Sequence, residues 1–425
     1  MKWLVNVLFF VVLLGIFGEG VSAENSLQLR INAIPEGGTL RLEAGVYEEA
    51  IQLKKPIVLE GEMGTIFKFC STEPIITISG KNVTLRNIKI VGCSNQESLA
   101  EIVVMGTNHL LEDLTINTGK IAIKLEDVED THIRKVGITG LSNENGIDLW
   151  QSNRNAFENI EINGVQDGFY LENSDNNILF GNTIRDSRYG IHVMFSNKIT
   201  VKENVSEHNF TGAMIMASNQ SIIEENKFTE NNKNVNAQGI LLYDVHNSEV
   251  SKNHISNNRV GMFIEGSSGN KIKNNEFIAN FIGTQLLKNK GNVIEGNSYI
   301  SNVTEIQAKQ GTDNYIYRNF WDAAMKLDMD GDGKSNLPYQ ADPYFLNLTK
   351  ETPAYQLFFQ HPGMVLLQKV LKSPTEMLVT DEEPLMNHQI ENNDQQKQGN
   401  YPAWFMSLFM ISSSLALIFF GRRRR

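Results

Sequence analysis

The chain has 425 residues and a formal net charge of −11, with no basic cluster ahead of its closing run of four arginines. That balance excludes a nucleic-acid partner, which calls for a basic surface.

Lys2, the apolar run Trp3–Phe17 and the small residues Val21-Ser22-Ala23 form a signal peptide (residues 1–23) cleaved after Ala23, which predicts export. Residues 24–145 then show short apolar segments broken by Gly and Pro, such as Ile51–Gly61, Asn82–Ile90 and Asn108–Ile116. Cys70 and Cys93 lie 23 residues apart in this stretch, about one turn of the repeat that follows. They either bridge adjacent turns or stack as two buried thiols, and neither reading offers catalysis.

From Gly146 to Asn319 one pattern recurs. Glycines open the segments at 146, 168, 190, 212, 239, 261 and 283, with steps of 22, 22, 22, 27, 22 and 22. A column of asparagines (182, 204, 226, 253, 275, 297, 319) keeps the same steps, so a single insertion within Asn231–Gln238 accounts for both deviations. A fixed period of this length means a solenoid. Each repeat is too short for a helix pair, and its β-branched segments bounded by Asn and Gly read as strands. Apolar residues alternate after each glycine (Ile147/Leu149, Phe169/Leu171, Ile191/Val193), with Thr284 the lapse. Further apolar columns sit three residues before each ladder asparagine and two after it, with Ser206 the exception. Stacked at about 4.8 Å per turn, these columns bury a continuous core. The predicted fold is all-β: a single-stranded, right-handed parallel β-helix of about 22 residues per turn over residues 24–325. The asparagines are expected in tight αL bends, bonding local backbone and one another from turn to turn. A second polar column (Ser187, Asn209, Asn231, Asn258, Asn280, Asn302) marks the next corner.

Phe320-Trp321 closes the repeat, and solenoids need such a cap. Residues 326–386 form an acidic loop and an irregular packing segment punctuated by Pro353, Pro362, Pro374 and Pro384, in which Met364–Leu371 fits a short helix. Asp328, Asp330, Asp332 and Asn336 supply oxygens at alternate positions around glycine, like the start of a calcium loop. Tyr339 occupies the twelfth position in place of glutamate, so Asp342 or Asp322 would have to substitute; the alternative is a plain acidic turn. Residues 387–402 are a polar linker, 403–421 an apolar span near the lower limit for crossing a membrane, and 422–425 a basic tail that stays cytoplasmic. Both ends together predict an exported protein anchored in the plasma membrane.

Residues two and four places after each glycine point outward from one sheet. In order they are Asp148/Trp150, Tyr170/Glu172, His192/Met194, Met214/Met216, Leu241/Tyr243, Phe263/Glu265 and Gln285/Leu287. A contiguous aromatic and thioether stripe marks a binding or a covered surface, with Trp150, Tyr170, Tyr243 and Phe263 as its binding face. His192, Met194, Met214 and Met216 fall in one two-by-two block, with neighbours about 5–7 Å apart. Imidazole and thioethers suit copper, Cu(I) above all; the alternative is packing beneath residues 340–386 or a partner. The carboxylates Asp148, Glu172 and Glu265 show no tight acid cluster with a basic partner, so no catalytic residue is assigned and an enzyme is not expected.

Several stretches together carry a resemblance. They are Arg188-Tyr-Gly-Ile-His192-Val-Met194, Asn319-Phe-Trp-Asp322, the Asp328 loop with Leu337-Pro-Tyr339, and the proline-punctuated tail from Phe358 to Pro384. Over roughly residues 27–386 the chain resembles the NosD family, exported accessory proteins of nitrous-oxide reductase maturation in denitrification. The resemblance implies a non-catalytic, copper-binding protein. It also implies work with an ABC-type ATPase and permease, a copper chaperone and the reductase. The competing readings are a cell-surface polysaccharide-binding or -cleaving β-helix and a purely structural surface protein.

Overall fold

The computed structural model describes residues 26–69, 72–92, 100–141, 144–342 and 378–388, plus nine single positions between 344 and 373. The signal peptide, Cys70, Cys93, nearly all of the linker, the 403–421 span and most of Met364–Leu371 lie outside the described residues; in the last, Leu371 N donates to Leu367 O at 2.8 Å. Among the described residues no helix is long and apolar enough to cross a membrane.

Strands form three parallel columns. One runs from Thr39–Leu42 to Tyr315–Tyr317, a second from Gly45–Tyr47 to Phe320–Trp321, and the third is a twelve-stranded sheet from Ile51–Leu53 to Thr304–Lys309. Register follows the repeat: Ile147 pairs with Phe169, then Ile191, Ala213, Ile240, Met262, Thr284 and Ile306 in turn. The predicted parallel β-helix is therefore the fold. The insertion leaves the coil as a loop at 232–237, where Lys233 reaches Asp186 at 3.0 Å. Strands begin at Thr39, and the preceding Leu27–Ala33 forms a short helix that turns Leu27 and Ile31 into the first turn. The sequence reading assigned coil there.

The apolar columns are buried except for the half-buried Ile316 at the last turn, and both polar exceptions are resolved inside the core. Ser206 Oγ donates to Gly212 O (2.8 Å) and accepts from Asn209 Nδ2 (3.0 Å). Thr284 Oγ1 lies 2.9 Å from Tyr299 OH. Buried hydroxyls cost little once paired.

In the asparagine ladder each backbone N–H donates to Oδ1 of the next asparagine, as Asn226 N to Asn253 Oδ1 (2.9 Å) and Asn253 N to Asn275 Oδ1 (2.9 Å). Each Nδ2 reaches back to a carbonyl of the turn before, as Asn253 Nδ2 to Ile223 O (2.8 Å). The αL residue is not the asparagine but its predecessor: Glu203, Glu225, Lys252, Asn274 and Arg318 all have positive φ. Each asparagine follows the bend and satisfies the backbone that the bend strands. Another such column, Asn155, Asn177, Ser221, Ser248, Asn270, Asn292 and Asn314, turns the remaining corner. Glycines fill the third sheet's column because a Cβ there would meet the next turn's backbone, as at Gly261, 2.5 Å from Gly283 O.

The last turn is sealed. Phe277, Tyr299, Trp321 and Tyr339 stack at 4.8, 4.4 and 4.5 Å between centroids. Tyr339–Ala341 pairs antiparallel with Val379–Asp381. Asp381 is fully buried and takes the place of a further ladder residue, accepting from Asn319 N (2.9 Å), Arg318 N (3.0 Å) and Trp321 Nε1 (2.9 Å). Glu305 stands where the seven turns before have glycine. Its buried carboxyl accepts from Asn302 Nδ2 (2.7 Å) and faces Asp322, and burial with that second carboxyl pushes it up to about 9.

Candidate functional site

The outer face of the third sheet presents the stripe in the register of the repeat. Asp148, Tyr170, His192, Met214, Leu241 and Phe263 are lateral partners, as are Trp150, Glu172, Met194, Met216, Tyr243 and Glu265. His192 is thus beside Met214, and Met194 beside Met216, one strand apart. His192 is buried, whereas Met194, Met214 and Met216 are half-buried. Described residues of the 326–386 segment pack instead on the last turns, against strands 304–309 and 315–317. Trp150 and Tyr243 are 41% and 44% exposed, so their rings are open to a ligand, with Tyr170 and Phe263 half-buried between and beyond them.

Sequence reading missed the residue at the centre. Asp167 is buried and holds two partners: Arg188 donates from Nε to Oδ1 (2.9 Å) and from a terminal nitrogen to Oδ2 (2.8 Å), and His192 Nδ1 lies 2.8 Å from the same Oδ2. A buried carboxylate with two basic partners therefore lies in this face, outside the set Asp148, Glu172 and Glu265. Burial alone would raise the Asp167 carboxyl, but the hydrogen bonds from His192 and Arg188 outweigh it and hold the group below its usual range. An ionised carboxylate only accepts, so Nδ1 carries the proton. The other nitrogen, Nε2, is buried and has no hydrogen-bond partner. Tyr170 and Tyr189 meet the ring edge-on at 5.1 and 4.9 Å, and Arg188 lies over Tyr189 at 4.6 Å.

Beside this group, Tyr170 OH donates to Glu172 (2.5 Å) and approaches the Met194 sulfur at 3.7 Å. Burial and the Glu172 carboxylate push the Tyr170 hydroxyl up. Burial likewise raises Asp148, against a bond from Asn145. A buried bare imidazole nitrogen next to thioethers fits a soft cation: its lone pair is unspent, and an unpaired buried polar atom is costly unless something uses it.

The acidic loop has a different character. Ligand atoms of Asp328, Asp330 and Asp332 lie within 4.8 Å of one another. Yet Asp328 accepts from Gly331 N (2.6 Å) and Gly333 N (3.0 Å), Asp332 pairs with Lys334 (3.0 Å), and Asn336 Oδ1 accepts from Met329 N (2.8 Å). Asp322 accepts from Ser301 N and Asp342 from Tyr344 N, so neither completes the loop, and Tyr339 belongs to the stacked cap. Hydrogen bonds account for this turn without an ion.

Comparison with known proteins agrees with the architecture. No curated protein matches the sequence. The periplasmic alginate epimerase AlgG superposes with a TM-score of 0.53 at 13% identity, over 69% of this chain and 82% of its own. A PL6 alginate lyase in complex with a trisaccharide gives 0.54 at 11%, over 69% and 81%. The Dettilon tailspike protein gives 0.52 at 15%, over 72% and 66%. At such identities the likeness is one of fold. The family described as "Periplasmic copper-binding protein (NosD)" matches residues 129–329, a span that contains Asp167, Arg188, His192 and all three methionines. Over these residues the chain is similar to the NosD family.

Proposed function

We propose that this protein is an extracytoplasmic accessory factor that handles copper for the assembly of nitrous-oxide reductase, without catalysis of its own. It acts beside an ABC-type transporter, receives copper from a chaperone, and is held at the membrane by residues 403–421. Copper is its cargo, taken at His192 with Met194, Met214 and Met216. The observation that carries the reading is the buried, unpartnered Nε2 of His192 one strand from Met214; the family description supports it. Three thioethers and one neutral imidazole favour Cu(I) over harder divalent ions.

The test is a Cu(I) competition titration of the full chain in detergent, with His192→Ala/Met214→Ala as the variant. Loss of the tightest site is expected, and an unchanged titration rejects ligation there. A second reading keeps the same face for polysaccharide, because the Trp150 and Tyr243 rings are open to stacking. Quenching of Trp150 fluorescence by an oligosaccharide, with no copper response, would favour it. Gene neighbours discriminate as well: an ATPase, a permease and a multicopper reductase support the first reading, carbohydrate transporters the second.

A further inference from the structure

Asp167 is fully buried, and both of its carboxylate oxygens are spent on Arg188 and His192. Arg188 Nε and a terminal nitrogen grip the two oxygens together, a bidentate geometry that fixes the plane of the carboxylate. Asn145 Oδ1 accepts from Asp167 N at 3.2 Å and anchors the residue from the turn before. His192 therefore meets an acceptor set in position and orientation, while two tyrosine rings flank its own plane. A histidine with one nitrogen donating to a fixed carboxylate has its tautomer chosen for it, and the remaining nitrogen is the ligand.

We propose that Asp167, clamped by Arg188, is the positioning residue of the copper site. It holds His192 as the Nδ1–H tautomer so that Nε2 is the nitrogen presented to Cu(I). This rests on the copper reading above and deepens it: a carboxylate two contacts from the metal governs whether the imidazole is ready to bind. The span 167–192 then works as a unit assembled from two adjacent turns.

The experiment uses the full chain in detergent with ¹⁵N-labelled histidine. The chain has eight histidines, and the spectrum of His192→Gln assigns the signal of interest. In the metal-free wild type, Nδ1 of His192 should appear as the protonated nitrogen and Nε2 as the bare one. Asp167→Ala should move the ring toward the Nε2–H form. The same change should weaken Cu(I) binding by about tenfold to a hundredfold in chelator competition, as outer partners of metal-bound histidines do. If Asp167→Ala does not fold, the near-isosteric Asp167→Asn is read in the same way. An unchanged His192 tautomer in whichever variant folds overturns the positioning role, even where copper binds at His192. A switched tautomer with Cu(I) affinity intact overturns the copper reading instead, so the two failures separate.

Discussion

Replacing Glu305 by glutamine should remove a pH dependence that the wild-type coil carries at its C-terminal end. The Glu305 carboxyl is buried at the last turn and pushed up to about 9 by burial and by Asp322. In the unfolded chain it titrates near 4.5. The folded state therefore keeps a proton that the unfolded state has released, and stability from this group is present at low pH and lost as pH rises toward 9. Between pH 6 and 8 the folded state holds close to one proton more than the unfolded chain, a loss on the order of 2–3 kcal/mol over the interval. Glutamine keeps the shape and an acceptor for Asn302, and it never ionises. Hydrogen exchange of the Asn297–Trp321 amides, corrected for the intrinsic pH dependence of exchange, reads the local opening free energy in both proteins. Wild type should open more easily at pH 8 than at pH 6, and Glu305→Gln should be flat. Equal slopes in the two proteins would refute the assignment of a protonated carboxyl to this site.

Asn253→Ala should strip the acceptor from Asn226 N–H and the donor from Ile223 O, both deep in the ladder. The orphaned N–H alone costs about 1–3 kcal/mol, measurable as a lower urea midpoint. Asn232→Ala on the exposed insertion should stay within about 0.5 kcal/mol, and similar losses at both positions would sink the distinction. Asp381→Ala should speed hydrogen exchange of the Arg318 and Asn319 amides, since each loses a charged acceptor worth about 1.5–3 kcal/mol. Protection that survived this change would show that the cap does not depend on the carboxylate.

Much of this was legible because vertical neighbours are 22 residues apart, so columns of like residues announce themselves. Register, buried columns and the outward stripe followed from that spacing. Diagonal contacts do not announce themselves. Asp167 lies 21 residues from Arg188 and 25 from His192, and a search in steps of 22 passes between them. The αL bend was placed one residue late because glutamate, lysine or arginine there leaves no compositional trace. Glu305 broke the glycine column by one substitution, and a carboxyl in that slot has meaning only once Asn302 and Asp322 surround it. The loop at Asp328–Asn336 misled in the opposite sense: alternating oxygens suit an ion or a self-bonded turn equally well until the backbone donors are seen.

A coil of stacked strands ends, by its nature, in an unspent row of backbone donors and acceptors, which is a template for another chain. Asp381 fills the final slot of that row, and Tyr339 lies flat across the aromatic stack beneath it. The same repeat that makes elongation cheap is thereby stopped from continuing into a neighbour. Head-to-tail fibre growth, the natural failure of an open-ended helix of this kind, is blocked at that end by one carboxylate and one phenol ring.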